Sequence, residues 1–377
     1  MGGDSGGGFE IRGTLTGDIQ DCSFVNNSIR GTYLAWRYGA GFCVHGSVTG
    51  DIVGYSFTGN SVVNQAYWRV DGGGFCIRNT LGGKVTDCTF VGNSAEGIGG
   101  GSYVATLSEG VSSCAFEGNW TVENDGGGFY VETLSGGVVD CLFTGNYAPG
   151  NGGGFFVNGN LSGGVANCHF AGNPAVYDGS GFYANASATG DIANRTFTNN
   201  KGEHAGFRVA GAVTGDIRGC EFLNDERQLG NRALQINGVF GGIMEQCRFF
   251  GFPYCDVSFA NNSPTVAIVR DCLFVDPMSP LGTGTWGLGT NQKTIVMNNT
   301  MIGAGLDTAI SPTGLYFAYG TQADNSEVDN NIIVDTKCAI NVGPLVNMSI
   351  RHNSFDNVTD IVRRGERGWE PIAPTWS

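Results

Sequence analysis

The stretch GGGFYVETLSGGVVDCLFTGN, residues 126–146, is followed almost at once by GGGFFVNGNLSGGVANCHFAGN, residues 152–173. The first copy contains three short apolar runs, FYV, VV and CLF, and turn residues separate them. No run is long enough to form a helix, and none of the spacings follows a period of 3.6 residues. The repeated unit is therefore predicted to be three short strands.

The phenylalanine that ends each DCxF-like motif recurs along most of the chain. The first two separations are 33 residues and the later ones are 25 to 27 residues, over the positions Phe24, Phe57, Phe90, Phe116, Phe143, Phe170, Phe197, Phe222, Phe249 and Phe274. Such a period indicates a solenoid. The register continues through residues 296–301, 328–333 and 350–355, which gives about thirteen coils.

Three strands in each turn of about 27 residues predict an all-β fold, a single right-handed parallel β-helix in which every strand pairs with its copy one coil away. We divide the chain into regular, glycine-rich coils over residues 1–275 and less regular coils over residues 276–362. Residues 363–377 are expected to form a tail or a linker.

Side chains alternate between the two faces of a strand, so Phe129 and Val131 are expected to point inward and Tyr130 outward. The outward position carries four consecutive aromatic residues, which we expect to form an exposed ladder: Tyr103, Tyr130, Phe156 and Tyr183. Two residues further on, the outward position is polar in three of these coils, at Glu132, Asn158 and Asn185. The variable loop before this strand adds three tryptophans, Trp36, Trp68 and Trp120.

The aromatic residues allow two interpretations. Either the loops fold over the strand and the rings bury one another, or the rings form a stacking platform for sugar rings. We favour the platform because rungs repeat at roughly 4.8 Å, close to one sugar residue of an extended β-linked chain. A polysaccharide also offers apolar ring faces to aromatic residues and hydroxyls to polar ones.

Composition limits the partners. The net charge of −14 and the pI near 4.6 argue against nucleic acid, because binding phosphates requires clustered Lys and Arg. The sequence contains neither the unbroken apolar stretch of a membrane helix nor a signal peptide, so we expect no membrane insertion. An uncharged ligand is compatible with the charge. We interpret the chain as a piece of a longer protein.

The twelve cysteines are expected to be structural. Eight of them occupy one column, where a spacing of roughly 4.8 Å between rungs exceeds the Cβ separation of about 3.8 Å that a disulfide favours, so we predict free, packed thiols: Cys22, Cys88, Cys114, Cys141, Cys168, Cys220, Cys247 and Cys272. Cys43 and Cys76 fall on the outer face and are the pair to test for a disulfide. No spacing suggests zinc.

Catalysis is not expected. Glycoside hydrolysis needs two carboxylates that face each other across a groove, whereas the outward columns of the first strand offer Glu10 and Glu132, several coils apart. The aspartates of the TGDI turns, Asp18 with Asp51 and Asp191 with Asp216, are interpreted as solvated carboxylates, and calcium between stacked pairs is the alternative. No cofactor is otherwise expected.

Two families share features of the repeat. The alternation of GGGF with FxGN resembles the repeats of polymorphic outer membrane proteins, which are bacterial surface adhesins. GGGF, the TGDI or SGGV turn and DCxF resemble β-helical carbohydrate-binding modules attached to xylanases, within the pectate-lyase-like fold. The second resemblance implies a secreted or cell-surface bacterial module that binds xylan without cleaving it, with a catalytic glycoside hydrolase domain in the same parent chain. A β-helical polysaccharide lyase or glycoside hydrolase and an adhesin passenger are the alternatives.

Overall fold

A computed structural model describes the following residues of the chain: 6–31, 37–64, 70–224, 232–252, 255–261, 263–275, 285–303, 312–317, 323–343, 346–364 and 370–371. The regular structure of these residues consists of short strands, and none of them is α-helical. In particular, the described residues include no helix that is long and apolar enough to cross a membrane.

The chain divides into two compact units, Met1–Asp191 with Arg195–Arg208 and Ile192–Asn194 with Val209–Ser377. Each unit is built from coils that contribute one strand to each of three parallel sheets, which we call the first-strand, second-strand and third-strand sheets. The strand His204–Val209 contains the boundary at Arg208. The predicted boundaries at residues 275 and 362 stay predictions.

In the first unit, the first-strand sheet consists of Phe9–Ile11, Phe42–Val44, Phe75–Leu81, Ser102–Leu107, Phe129–Leu134, Phe155–Val157 and Phe182–Ala184. Its second-strand sheet consists of Ile19–Gln20, Ile52–Val53, Val85–Thr86, Gly110–Ser112, Gly137–Val139 and Val165–Ala166. Its third-strand sheet consists of Ser23–Val25, Ser56–Thr58, Thr89–Val91, Ala115–Glu117, Leu142–Thr144, His169–Ala171 and Thr196–Thr198.

The first unit also has a short fourth sheet, which the sequence pattern did not predict. It consists of Ser28–Gly31, Ser61–Asn64, Ser94–Ala95 and Trp120–Thr121. Single bridges continue it over the next coils, from Trp120 to Tyr147 and from Pro174 to Lys201. A separate pair of strands, Arg37–Tyr38 and Val70–Asp71, precedes the first strand in two coils.

In the second unit, the first-strand sheet consists of Arg232–Ile236, Cys255–Phe259, Thr285–Thr290, Pro312–Phe317, Cys338–Val342 and Asp360–Arg364, with Glu370–Pro371 antiparallel at its end. Its second-strand sheet consists of Ile192–Ala193, Ile217–Arg218, Ile243–Glu245, Ala267–Arg270, Thr294–Met297, Ser326–Asp329 and Met348–Arg351. Its third-strand sheet consists of Glu221–Leu223, Arg248–Phe250, Leu273–Val275, Thr300–Ile302, Ile332–Val334 and Ser354–Asp356.

The pairing confirms the predicted fold class. Strands pair in parallel with their copies one coil away, as Tyr103 with Tyr130 and Phe116 with Phe143 show. The described residues contain thirteen second strands and thirteen third strands, which agrees with the predicted number of coils. The fold is a parallel β-helix.

Sharp corners between the strands require left-handed backbone. The residue before each cysteine of the DCxF motif has a positive φ, for example 54° at Asp140, and it turns the chain from the second strand into the third. Asp, Asn and Gly tolerate this region best, which explains the composition of that position. The glycine of FxGN, with φ of 62° at Gly145, makes the next corner.

Stacked side chains fill the core. The phenylalanines of DCxF lie ring on ring, with centroids 4.5 Å apart between Phe90 and Phe116 and 4.9 Å between Phe116 and Phe143. All eleven cysteines whose side chains are described are free thiols, and all but Cys22 are buried, so the prediction of packed thiols is confirmed. The thiols of the DCxF column donate to the carbonyl two residues earlier, as from Cys141 Sγ to Val139 O at 3.2 Å, and several also contact a carbonyl of the preceding coil, as Cys168 Sγ does with Val138 O at 3.4 Å.

A column of buried asparagines supports the corner after the third strand. The Nδ2 of Asn119 donates to Asn146 Oδ1 at 2.9 Å and to the Phe90 carbonyl at 2.8 Å, and its Oδ1 accepts from the backbone and side chain of Asn93. In the last coils, Asn299 and Asn331 occupy the position of the cysteine, and Asn299 Nδ2 donates to Asn331 Oδ1 along the axis at 3.0 Å. These columns satisfy backbone groups that the corners would otherwise leave buried without a partner.

Candidate functional site

The predicted aromatic ladder lies in register on the outer face of the first-strand sheet. Tyr103 pairs with Tyr130, Tyr130 with Phe156 and Phe156 with Tyr183. The ring centroids are 5.7, 4.9 and 5.3 Å apart along the column, and the planes are within 24° of parallel. Each ring therefore stacks on its neighbours one coil away.

The prediction that this ladder is exposed is wrong. Only 5% of Tyr103, 6% of Tyr130, 3% of Phe156 and 8% of Tyr183 is exposed. The ring faces, which a sugar would need, are occupied by the neighbouring rings. The interpretation in which the aromatic residues bury one another is the one that the structure supports for these four positions.

Charged groups close the column at Tyr183. The guanidinium of Arg208 lies over the Tyr183 ring, 5.8 Å from its centroid, and pairs with Asp178. Asp178 also accepts a hydrogen bond from Nδ1 of the buried His204 at 2.5 Å. Burial raises the pKa of the Tyr183 hydroxyl, and the nearby Asp125 carboxylate acts in the same direction. Tyr183 therefore serves as packing against a fixed ion pair.

The predicted polar column forms one hydrogen-bonded chain beside the ladder. Tyr103 Oη donates to Glu132 Oε1 at 3.3 Å, and Asn158 Nδ2 donates to Glu132 Oε2 at 2.8 Å. Asn185 Nδ2 donates to Asn158 Oδ1 at 3.0 Å, and Tyr183 Oη donates to Asn185 Oδ1 at 3.4 Å. Asn158 and Asn185 are exposed and Glu132 is half-buried, so their remaining donor and acceptor capacity faces solvent.

The same face of the first three coils carries a second polar chain. His45 Nε2 lies 2.9 Å from Glu10 Oε1, and Arg78 Nη1 lies 3.1 Å from His45 Nδ1. Because arginine can only donate, Nδ1 accepts and Nε2 carries the proton that it donates to Glu10. Arg78 also lies over the Tyr38 ring at 4.1 Å. Both nitrogens of His45 are thus engaged in hydrogen bonds.

Cys43 and Cys76 lie beneath these groups and are direct partners in adjacent strands. Both are buried free thiols, although the sequence placed them on the outer face and raised a disulfide between them as a question. Burial raises the pKa of the Cys76 thiol, and the adjacent Cys43 acts in the same direction. Cys76 is therefore a packed, protonated thiol at neutral pH.

Exposed aromatic residues occur instead on the fourth sheet. The buried asparagine of FxGN faces inward, so the residue after it faces outward, and two successive coils place Trp120 and Tyr147 there as direct partners. Trp120 is 43% exposed and Tyr147 is 37% exposed. Within the described part of the chain, neither of these rings stacks on another aromatic ring.

Aliphatic and aromatic residues widen this surface. Val122, Val176 and Tyr177 lie on the same segments and are 49%, 58% and 63% exposed. Half of the ten large exposed hydrophobic residues in the described chain therefore fall between residues 120 and 177. We call this surface the apolar strip and define it as Trp120, Val122, Tyr147, Val176 and Tyr177. Exposed apolar side chains on neighbouring coils are a candidate interaction surface.

Only Trp120 of the predicted tryptophans belongs to the described residues, since Trp36 and Trp68 lie outside them. Tyr147 and Tyr177, which complete the strip, were visible in the sequence as aromatic residues of the variable loop. Tyr147 could have been selected together with Trp120, because both directly follow the asparagine of the repeated FxGN motif.

The aspartates of the TGDI turns have a structural role. Asp18 Oδ1 accepts from the Asp51 backbone N–H at 2.9 Å, and Asp51 Oδ1 accepts from the Lys84 N–H at 2.7 Å. Asp216 Oδ1 accepts from the Ile243 N–H at 2.7 Å in the same way. Among the described residues, no group of three or more His, Cys, Asp or Glu side chains is arranged to hold a metal ion.

Comparison with known proteins bears on the fold alone. Residues 3–163 match a family model described as the right-handed beta helix region. No curated protein and no solved structure matches the chain. Together, this match and the parallel stacks of strands show that the fold is a right-handed parallel β-helix.

Proposed function

We propose that this protein binds an extended, uncharged plant cell-wall polysaccharide, with xylan as the first candidate, along the apolar strip. The observation that carries the proposal is the pairing of Trp120 and Tyr147, two exposed aromatic rings on adjacent rungs. Rungs repeat at roughly 4.8 Å, so successive sugars of an extended chain would meet successive rungs. The polysaccharide would run along the axis of the coils.

The chemistry of the strip suits sugar rings. Aromatic faces pack against the apolar faces of pyranose rings, while Val122 and Val176 exclude water at the edge of the contact. In the same column, Ser94, one coil before Trp120, is buried and donates to Ser61 Oγ at 2.9 Å, whereas Ser61, two coils before Trp120, is half-buried and can offer its hydroxyl. A few polar groups beside an apolar surface fix the orientation of a ligand.

The polar column of Glu132, Asn158 and Asn185 supplies a second set of hydrogen-bonding groups for sugar hydroxyls. The two exposed amides repeat one coil apart, which matches a repeating ligand as the strip does. We expect modest affinity, with a dissociation constant between about 1 μM and 1 mM, because the strip is open and few polar groups converge on it.

We propose that binding occurs without cleavage, outside the cell of a bacterium, and in a parent chain that also carries a glycoside hydrolase domain. On the first-strand face, Glu10 is engaged by His45 and Arg12, and Glu132 by Tyr103 and Asn158. An extracellular location places the protein where plant polysaccharide is found. No cofactor is needed for such binding.

A glycoside hydrolase is the second candidate, and one observation favours it. Asp125 and Glu132 belong to the same coil, on either side of Tyr130 in the sequence. Burial raises the pKa of Asp125 even though Asn151 donates two hydrogen bonds to it, whereas Glu132 is held by donors at both oxygens. Carboxyl groups in contrasting environments are the pattern of an acid and a base.

The test compares variants on soluble polysaccharides. In native gels that contain xylan, we expect retardation of the wild-type protein and its loss in Trp120→Ala with Tyr147→Ala. The matched control is Val91→Ala, which removes an exposed side chain from the third-strand sheet. Equal retardation of the double variant and the wild type would rule out the strip as the binding site. Reducing ends released from the same polysaccharides would establish the hydrolase instead.

A further inference from the structure

Four cysteines of the DCxF motif form an unbroken column in the first unit. The residues that follow them pair in register from one third strand to the next, as Ala115 does with Leu142 and Leu142 with His169. The cysteines therefore stack one to a rung, and all four are buried free thiols. We call them the thiol column: Cys88, Cys114, Cys141 and Cys168.

The side chains of the thiol column share one orientation. Each Sγ donates to the carbonyl oxygen two residues earlier at 3.2 Å. In three of the four, Sγ also approaches a carbonyl oxygen of the preceding coil, as Cys114 Sγ does with Val85 O at 3.6 Å. Identical side chains in one orientation on adjacent rungs place their sulfur atoms one rung apart, at roughly 4.8 Å.

This spacing suits a metal ion that takes two ligands in a straight line. An ion midway between two such sulfur atoms would lie about 2.4 Å from each, and a Zn–S bond is about 2.3 Å long. Zinc itself takes four ligands in structural sites, and no group of three or more His, Cys, Asp or Glu side chains in the described part of the chain is arranged to hold an ion. Soft thiolates prefer soft ions such as Cu(I), which accepts two ligands.

A buried cation occupies the next rung of the column. Thr196 pairs with His169, so Arg195 follows Cys168 along the axis, and Arg195 is 1% exposed. A monovalent ion that binds two thiols displaces both protons to solvent and leaves a complex with a single negative charge. A buried charge of this kind needs an opposite charge nearby, and the guanidinium one rung away supplies it.

We propose that the thiol column binds soft monovalent ions of the Cu(I) and Ag(I) class, each ion between the sulfur atoms of two adjacent rungs. Cys141 and Cys168, beside Arg195, form one site, and Cys88 and Cys114 form the other. No oxidation or reduction is involved, and the sites are independent of the apolar strip. A bare ion is much smaller than an aromatic thiol reagent, so local opening of the corner admits it to these buried sulfur atoms.

Two variants that remove equal numbers of thiols test whether the sites are pairs. Titration with Ag(I) in chloride-free buffer, followed by native mass spectrometry, counts the bound ions. Cys114→Ser with Cys168→Ser leaves thiols two rungs apart and should abolish both sites. Cys141→Ser with Cys168→Ser keeps the adjacent pair Cys88 and Cys114 and should abolish one. Equal losses in the two variants, or no uptake by the folded wild type, would overturn the proposal.

Serine keeps a hydroxyl that can donate to the same carbonyl oxygen, which favours folding of both variants. X-ray absorption of the Ag(I)-loaded wild type needs no variant at all. We expect two sulfur neighbours for each ion at about 2.4 Å. Because the sites exist in the folded state, Ag(I) should also raise the melting temperature. Oxygen or nitrogen neighbours, three or more sulfur neighbours, or a lower melting temperature would contradict binding between adjacent rungs.

Discussion

Trp120 and Tyr147 are direct partners on adjacent parallel rungs, and both side chains are exposed to solvent. The relationship contrasts with Tyr130 and Phe156, which are also direct partners on adjacent rungs but are buried with their rings 4.9 Å apart. Two aromatic columns thus have different roles in one solenoid. The first-strand column packs the protein, and the fourth-sheet column faces solvent.

Tyr130→Ala should therefore destabilise the protein. The substitution removes a buried ring that contacts Tyr103 on one side and Phe156 on the other, and we expect a loss of about 3 kcal/mol in the free energy of unfolding. Urea denaturation followed by circular dichroism measures it. Retention of the folded variant on xylan should equal that of the wild type. A loss of xylan binding without a loss of stability would show that the ladder belongs to the binding site.

A substitution in the buried asparagine column should lower the free energy of unfolding more than one in the exposed polar column. Asn119→Ala removes the partner of the Asn93 side chain and of the Phe90 carbonyl, and we expect a cost of about 2 to 4 kcal/mol. Asn158→Ala, which changes an exposed amide, should cost no more than about 0.5 kcal/mol. Thermal or chemical denaturation of both variants provides the comparison. Similar losses in the two would contradict the structural role of the FxGN asparagine.

Asp125→Asn should stabilise the protein at neutral pH. Burial raises the pKa of Asp125, so the folded state binds this proton more tightly than the unfolded state and the ionised carboxylate costs stability at pH 7. Asparagine keeps an oxygen that can accept from the Asn151 N–H and Nδ2. The gain should be full above the folded pKa, shrink as pH falls through it and be absent below about 3.9, the pKa of an unfolded Asp. Melting temperatures of both proteins measured against pH test this sign.

The cysteines should behave as unreactive thiols in the folded protein. Ten of the eleven described free thiols are buried, so a thiol reagent such as dithionitrobenzoate should modify few of them until denaturant is added. Without any reductant, the denatured protein should then release colour for at least eleven thiols. A lower count would indicate a disulfide, and peptide mapping of Cys43 with Cys76 would locate it if it joins that pair.

Much of the fold could be predicted from the sequence because each coil repeats the same physical requirements. The alternation in Phe129, Tyr130 and Val131 assigned inward and outward positions correctly. The spacing of the DCxF phenylalanines predicted the length and the number of the coils. The short fourth sheet could not be predicted from apolar runs. Its strands are two to four residues long, and the buried asparagine and the corner glycine define them more than hydrophobic residues do.

The candidate site was harder to predict, since an outward direction does not by itself mean exposure. Tyr103, Tyr130, Phe156 and Tyr183 point away from the core, yet identical rungs bring their rings close enough to cover one another's faces. The exposure of an outward side chain depends on the residues that lie on both sides of its column. The pattern of a single strand does not encode these residues. Trp120 was named from the sequence for its residue type, and its neighbours on the next rungs determine whether it can bind.

The central claim is that the apolar strip binds an extended uncharged polysaccharide. Calorimetric titration with a soluble xylo-oligosaccharide of about six sugars, in the wild type and in Trp120→Ala with Tyr147→Ala, tests it most directly. We predict a dissociation constant between about 1 μM and 1 mM for the wild type and at least about ten-fold weaker binding for the double variant, with Val91→Ala unchanged. Equal affinity in the wild type and the double variant, at unchanged folding, would contradict the claim.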